Sequence, residues 1–270
     1  MTRILDLLHD ARLPRLEARM LLERALGRPR AWLLAHDTDP MPAEAAQAYH
    51  ALAARRLAGE PMAYLLGERE FMGHVFHVTP DVLIPRPDTE LLAETAIAAA
   101  AGREGVAVLD LGTGSGAIAV SVALACPRAE VDATDRSPAA LAVAGGNAAR
   151  LGARVRLLQG DWYGALPDGA RYDLIVSNPP YIADGDPHLV QGDLRHEPRG
   201  ALTDEADGLS ALACIVAGAP ARLRAGGALW LEHGWDQAEA VRGLLRQAGF
   251  RGVASRRDLA GIERISGGNL

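Results

Sequence analysis

The chain has 270 residues, 49% of them hydrophobic, which suits one large α/β domain plus a smaller accessory one. Its net charge is −6, and all 28 basic residues are arginine. The lack of lysine excludes Schiff-base and lysine general-base chemistry, and the acidic balance weighs against clamping long duplex nucleic acid. No run of about 18 residues is apolar throughout, and Asp6 follows closely on the first residue, so neither a membrane span nor a signal peptide is expected. Cys126 and Cys214 lie far apart in apolar contexts and read as reduced thiols of a cytoplasmic protein.

Residues 1 to about 60 carry helical patterns only. Ala18, Leu21, Leu22 and Ala25 recur at helical spacing, as do Ala45, Ala48, Tyr49 and Leu52 after Pro42. The expected division is a helical N-terminal domain over 1–69, a β-hairpin linker over 70–84 and an α/β domain over 85–270. In the linker, Phe71, Val75, Phe76 and Val78, then Val82, Leu83 and Ile84, are strand formers broken at Thr79-Pro80-Asp81. His74 and His77 are three apart there and face opposite sides, so no metal site is expected. Asp88 or Thr89 would cap the helix that follows.

From about residue 105 strands and helices alternate. Strands are expected over Val106–Leu111, Val131–Thr134, Arg154–Leu158, Tyr172–Ser177 and Gly227–Glu232, with two more within 250–266. Helices are expected from Gly116, from Ser137-Pro138, over 208–224 and over 236–248. Apolar runs buried on both faces, with helices between them, imply a mostly parallel sheet covered on each side.

The turn Asp110-Leu111-Gly112-Thr113-Gly114-Ser115-Gly116-Ala117 ends the first of these strands and opens a helix. Gly112, Gly114 and Ala117 also satisfy a dinucleotide fingerprint, and Asp135 stands at the next strand end, where an acid would bind a ribose. This segment alone leaves a nicotinamide enzyme and a methyltransferase both open. Asp110 favours the second, because an acid at the strand end could bind a cationic methionine ammonium and would sit poorly beside a pyrophosphate. Asp161 and Trp162 add a polar group and a flat ring where an adenine would lie.

Asn178-Pro179-Pro180-Tyr181, at the end of the fourth strand, discriminates between the two. Ligands bind outside the carboxyl ends of such strands. The Asn178 carboxamide oxygen and the Pro179 carbonyl are two acceptors suited to the two N–H groups of a planar NH2, proline stiffens the backbone that carries them, and Tyr181 offers a face for stacking. An amide or aniline-like nitrogen is a poor nucleophile. Two acceptors on its hydrogens return density to nitrogen and aim it at a sulfonium methyl, so catalysis is mostly positioning and electrostatics. His188, His196 and His233 could approach the crevice but form no triad or ligand cluster. The run Arg251–Arg257 reads as a solvated strand surface.

Beyond single motifs, the chain resembles the peptide chain release factor glutamine N5-methyltransferases of bacteria. The resemblance is carried by Gly59–Phe71, Ile84–Glu90, Asp110–Ala117, Ser177–Tyr181, the loop blocks Asp186–Leu189, Gly192–Arg195 and Glu197-Pro198, and Leu231–Gly234. It implies a Rossmann-like seven-stranded methyltransferase sheet with an antiparallel last strand and a small helical N-terminal domain. The implied reaction moves a methyl group from S-adenosyl-L-methionine to the side-chain amide of the glutamine in the Gly-Gly-Gln tip of class I release factors. By the same resemblance Gly112, Thr113, Gly114, Ser115, Gly116, Asp135 and Trp162 would contact the cofactor. Asn178 would bridge cofactor and substrate, with Pro179, Pro180 and Tyr181 completing the glutamine pocket. Asn178, Pro179 and Tyr181 are thus the expected catalytic residues. The N-terminal helices would help hold the release factor, and a cytoplasmic monomer with no stable nucleic-acid or membrane partner is expected. The tetrapeptide is shared with enzymes that methylate adenine N6 or guanine N2, which makes a nucleic-acid amine methyltransferase the alternative. An S-adenosylmethionine-binding scaffold without catalysis is a third reading, disfavoured by the intact Asn178 and Tyr181.

Overall fold

The computed structural model describes residues 2–9 and 12–270. The chain forms two compact units that divide between Glu68 and Arg69.

The first unit contains α1 (Ile4–Leu8), α2 (Arg15–Leu26), α3 (Arg30–Ala35), α4 (Ala43–Leu57) and α5 (Met62–Leu66). In α2, Ala18, Leu21 and Leu22 face inward, and Gly27 ends the helix in the left-handed conformation that favours glycine. In α4 the inward face centres on Tyr49 and Ala53, while Ala48 is exposed. The Tyr49 hydroxyl, fully buried, donates to the Leu7 carbonyl at 3.2 Å, so the polar end of this ring is satisfied inside an aliphatic core.

The second unit opens with a hairpin of β1 (Glu68–Phe71) and β2 (His74–His77). Its turn is Met72-Gly73, both at positive φ (52° and 74°), the two-residue geometry that matches strand twist. The break expected at Thr79-Pro80-Asp81 is instead a turn beyond the hairpin, and Val82–Ile84 is not a strand. The Ile84 amide is bound by the Glu197 carboxylate at 2.9 Å, not by a neighbouring strand. The hairpin is anchored to the α/β layer, since Phe71 and Phe76 meet edge to face and pack together with Ala93, Ala117, Val120 and Ala148.

After α6 (Pro87–Ala100) come β3 (Ala107–Leu111), α7 (Ala117–Ala125), β4 (Glu130–Asp135), α8 (Pro138–Leu151), β5 (Arg156–Gln159) and β6 (Tyr172–Ser177). The chain continues through α9 (Arg199–Leu202), α10 (Ser210–Gly218), β7 (Leu223–Glu232), α11 (Ala238–Gln247), β8 (Arg251–Arg257) and β9 (Glu263–Asn269). The expected helix over 208–224 is shorter than its pattern: Pro220 lies in a 3-10 turn that ends it, and β7 begins at Leu223. The seven strands are ordered β5-β4-β3-β6-β7-β9-β8, with β9 antiparallel to both of its neighbours and every other pairing parallel. Alternate residues of the central strands point to opposite faces. Leu109, Leu111, Ile175, Leu229 and Leu231 pack with α10 and α11, and Val108, Val131, Leu174 and Val176 with α6 and α7. Burial on both faces explains why these strands read as continuous apolar runs.

Candidate active site

β3 is the first sheet strand in chain order, yet it lies between β4 and β6, so the chain leaves it in opposite directions. The carboxyl end of such a switch point forms a crevice. Register pairs Leu111 with Thr134 on one side and with Ser177 on the other, and Ser177 with Leu231. One residue beyond each lie Asp135, Gly112, Asn178 and Glu232, so strand pairing alone sets these four in a row across the sheet edge. A cavity of about 540 Å³ opens over this row, and its wall includes Gly112–Ser115, Asp135, Trp162, Asn178 and Pro180. Gly116, Pro179 and Tyr181 are not on that wall. Gly116 precedes α7 at φ 82°, where a Cβ would stand 3.1 Å from Ala144 Cβ, so its bareness serves helix packing. Pro179 is buried, and Tyr181 packs against the core with its hydroxyl bonded to Glu232.

On the glycine-turn side, Gly112 has φ 71° and a Cβ there would touch the Trp162 ring at 3.4 Å, so this ring covers the turn. Trp162 itself holds a left-handed φ of 44°, unusual for a bulky residue and a mark of a constrained functional turn. The Asp135 carboxylate accepts from the Gly114 and Ser137 amides, each at 2.9 Å, which fixes it at the cavity wall. Asp110 is not on the cavity wall, so an ammonium bound there would have to be reached through water and not by direct contact. It is 1% exposed and lies behind the turn, accepting from the Thr113 hydroxyl at 2.7 Å and the Ala119 amide at 3.2 Å. Its other oxygen is buried without a partner among the described residues. Burial pushes this carboxyl up to about 6, opposed by its two donors and reinforced by the negative charge of Asp135.

On the tetrapeptide side, Asn178 Nδ2 donates to Thr89 Oγ1 at 3.1 Å. Thr89 is not a cap: α6 starts at Pro87 with Arg86 before it and no side-chain cap, because proline already suits the first turn. The Thr89 side chain is 4% exposed and turned toward the sheet edge. Tyr181 Oη donates to Glu232 Oε1 at 3.1 Å, and Glu232 is 1% exposed. Burial pushes Glu232 up to about 7, against the hydroxyls of Thr89 and Tyr181 and the charge of Arg264, while Asp88 adds to the rise. Burial and the neighbouring Glu232 charge raise the Tyr181 phenol well above its ordinary value. Gln237 Nε2 donates to the Tyr181 and Gly208 carbonyls at 3.0 and 3.1 Å, fixing the backbone just after the two prolines.

Arg86 and Glu90, at the start of α6, do different work. Arg86 pairs with buried Glu197, tying the α6 entry to the loop before α9. The Glu90 carboxylate accepts the Met72 amide at 2.8 Å and so serves the hairpin turn. Sequence reasoning misses the Thr89 and Gln237 contacts and the burial of Glu232 against the Tyr181 hydroxyl. The one local signal for Glu232 is an acid closing an otherwise apolar strand, Ala228-Leu229-Trp230-Leu231-Glu232.

The same fold recurs in solved structures. A 16S rRNA N2 G1207 methyltransferase of T. Thermophilus superposes with TM-score 0.55 at 24% identity, over 75% of this chain and 49% of that one. A methyltransferase from Pyrococcus furiosus gives TM-score 0.56 at 20% identity, over 80% and 95%. Residues 87–205 match the family described as methyltransferase small domain, so fold and site define a methyltransferase. Residues 2–67 match the PrmC N-terminal domain. The release factor glutamine methyltransferase of Bordetella pertussis is 74% identical over 270 residues, the whole of both chains. That of Burkholderia pseudomallei is 59% identical over 98% of this chain and 95% of its own, and that of Salmonella typhimurium 46% over 97% and 95%. The chain belongs to the release factor glutamine methyltransferase family.

Proposed function

We propose that this chain transfers a methyl group from S-adenosylmethionine to the side-chain amide nitrogen, N5, of the Gly-Gly-Gln glutamine in class I release factors. Asn178 carries the chemical part of this reading. Its Nδ2 donates to Thr89, its Oδ1 accepts no hydrogen bond from any described residue, and the residue lines the cavity. End-to-end similarity to release factor glutamine methyltransferases supports the substrate.

The cavity suits the cofactor. It has an acidic group fixed at one strand end, a turn of glycines that keeps side chains out of the way, an indole ring beside that turn and a free carboxamide oxygen opposite. In this reading Asp135 would accept from ribose hydroxyls, Trp162 would flank the adenine, and residues 112–115 would run alongside the ligand. When bound, S-adenosylmethionine supplies an electrophilic methyl group on a sulfonium sulfur. The Asn178 oxygen and the Pro179 carbonyl accept the two amide hydrogens of the substrate glutamine, orienting its nitrogen lone pair and stabilising the positive charge that grows there. Pro180 walls the pocket, with Tyr181 packed behind it, and keeps water away from the reacting nitrogen. The enzyme works as a cytoplasmic monomer, and residues 1–69 supply docking surface for the release factor through exposed Leu16, Leu34 and Leu57.

Labelled S-adenosylmethionine tests this directly, with a release factor, its Gln→Ala variant, tRNA, rRNA or DNA as acceptor. Label is expected only on the unaltered factor. Label on nucleic acid, or persisting on the Gln→Ala factor, overturns the proposal.

A further inference from the structure

The proposed chemistry uses two acceptors, the Asn178 side-chain oxygen and the Pro179 carbonyl. A side-chain acceptor is aimed by its rotamer. A main-chain carbonyl is aimed only by fixing the chain on both sides of it. Pro179 and Pro180 offer no N–H by which a neighbour could hold them. Upstream, the chain is fixed at Ser177, which pairs in register with Leu111 on one side and Leu231 on the other. The Ser177 hydroxyl also donates to the Leu111 carbonyl at 2.6 Å. β6 ends there, so the downstream anchor must come from outside the sheet, after the prolines.

Gln237 supplies that anchor. Its Nε2 donates to the Tyr181 carbonyl at 3.0 Å and to the Gly208 carbonyl at 3.1 Å, and its Oε1 accepts the Gly234 amide at 2.8 Å. All three partners are main-chain groups of fixed polarity, one donor and two acceptors. The carboxamide therefore has a single orientation and uses both of its hydrogens. The partners lie on three loops, after β6, before α10 and after β7. Two glycines leave room for the approach. A Cβ on Gly208, at φ 79°, would stand 2.5 Å from the Tyr181 oxygen and 3.0 Å from Gln237 Nε2, and a Cβ on Gly234 would stand 3.0 Å from Gln237 Oε1. Just beyond, the Ile182 amide donates to the Leu202 carbonyl at 3.0 Å and the Asp184 amide to the Ala206 carbonyl at 2.8 Å. The chain leaving the tetrapeptide thus runs beside residues 202–206, of which Thr203, Asp204 and Glu205 line the cavity.

We propose that Gln237 is a positioning residue for methyl transfer: by clamping the Tyr181 carbonyl to the Gly208 and Gly234 loops it makes the two prolines a strut pinned at both ends, and so aims the Pro179 carbonyl at the substrate amide. The inference rests on the amide-methylating reading of the site. Gln237 is not on the cavity wall, so its effect on the rate passes through the tetrapeptide. Methionine in its place keeps the length and loses all three bonds. Glutamate keeps the shape and the Gly234 bond but sets an oxygen against two carbonyl oxygens.

The test is single-turnover methyl transfer to a release factor at saturating S-adenosylmethionine, with the affinities for cofactor and factor measured by calorimetry. Wild type, Gln237→Met, Gln237→Glu, Asn178→Ala and the double variant of Asn178→Ala with Gln237→Met are compared. Each Gln237 variant should slow the saturated step roughly 100-fold, the scale of an acceptor displaced by about 1 Å, while both dissociation constants stay within about threefold. In the double variant, Gln237→Met should add far less than its own factor, because an amide released by Asn178 gains little from a well-aimed Pro179 carbonyl. A purely structural Gln237 would instead multiply in full with Asn178→Ala. A rate for Gln237→Met near that of wild type, weaker binding in place of a slower step, or full multiplication in the double variant overturns the inference alone. No transfer by wild type overturns the proposed function and the inference with it. A thermal melt shows whether Gln237→Met is folded, and the isosteric Gln237→Glu, alone and with Asn178→Ala, decides the matter if it is not.

Discussion

Asp110 and Glu232 make a natural comparison. Each is 1% exposed at the carboxyl end of a sheet strand, each has one oxygen without a partner, and burial raises both. Their connections differ. Asp110 binds Thr113 and the Ala119 amide, three and nine residues along the chain, so its bonds close within one β-turn-α segment. Glu232 meets the Tyr181 hydroxyl, 51 residues away. The same chemical group at equivalent depth thus serves local geometry in one place and ties a distant segment to its strand in the other. The lesson is that burial and a shifted pKa mark a carboxyl as special, and only its partners say for what.

The largest expected effect separates the two sides of the crevice. Asn178→Ala should lower turnover about a thousandfold while cofactor affinity stays within a few-fold, because the lost acceptor acts on the transition state. Rapid-quench rates and calorimetric binding check it, and near-normal turnover would break the acceptor-pair mechanism.

The second prediction addresses the two buried carboxyls themselves. Their folded values of about 6 and about 7 lie above the ordinary 3.8 and 4.5. A raised folded value means that the stabilising contribution is fully present below the unfolded value and is lost as pH rises through the folded one. The protein should therefore lose stability between pH ~4 and ~7, on the order of 3 kcal/mol for each carboxyl. Asp110→Asn and Glu232→Gln should each remove one such loss and melt higher than wild type at pH 8, with the gain vanishing near pH 4. The comparison sharpens if both variants are stabilised and only Glu232→Gln loses turnover. It breaks if Asp110→Asn is the slower enzyme.

The smallest effect concerns the cavity wall. Asp135→Asn should weaken S-adenosylmethionine binding roughly tenfold, the scale of a hydrogen bond to a charged group, with a smaller change in the rate at saturation. An unchanged dissociation constant would remove Asp135 from the cofactor side.

How much of this is legible in the chain depends on how local each feature is. The glycine turn is readable because positive φ at Gly112, Gly114 and Gly116 is a property of those residues themselves. Asn178 is readable because a strand end followed by two prolines is a local pattern. The β-hairpin is misplaced because Met72 adopts φ 52° only with its amide held by Glu90, 18 residues on, whereas Thr79-Pro80-Asp81 looks like a turn by composition alone. The helix over 208–224 overruns because an apolar pattern does not register where Pro220 halts it. Thr89 and Glu232 escape for the same reason as the hairpin: the contacts that define them cross 89 residues in one case and 51 in the other. Strand register sets Glu232 beside the segment after β6, and the packing of α6 on the sheet sets Thr89 against Asn178, both properties of the assembled domain.

The placement of β9 has a consequence for how the protein is made. β9 lies between β7 and β8, both of which precede it in the chain. During synthesis β7 presents an unpaired edge, and β8 has no neighbour, until residues 263–269 emerge and slide between them. Glu232 pairs in register with Ile265, and Arg264 stands beside that pair. The oldest part of the crevice, the glycine turn, can be in place early. Glu232 acquires its enclosure last, so a nascent chain caught short of β9 would hold the tetrapeptide in the right strand yet leave the carboxyl on the neighbouring strand uncovered.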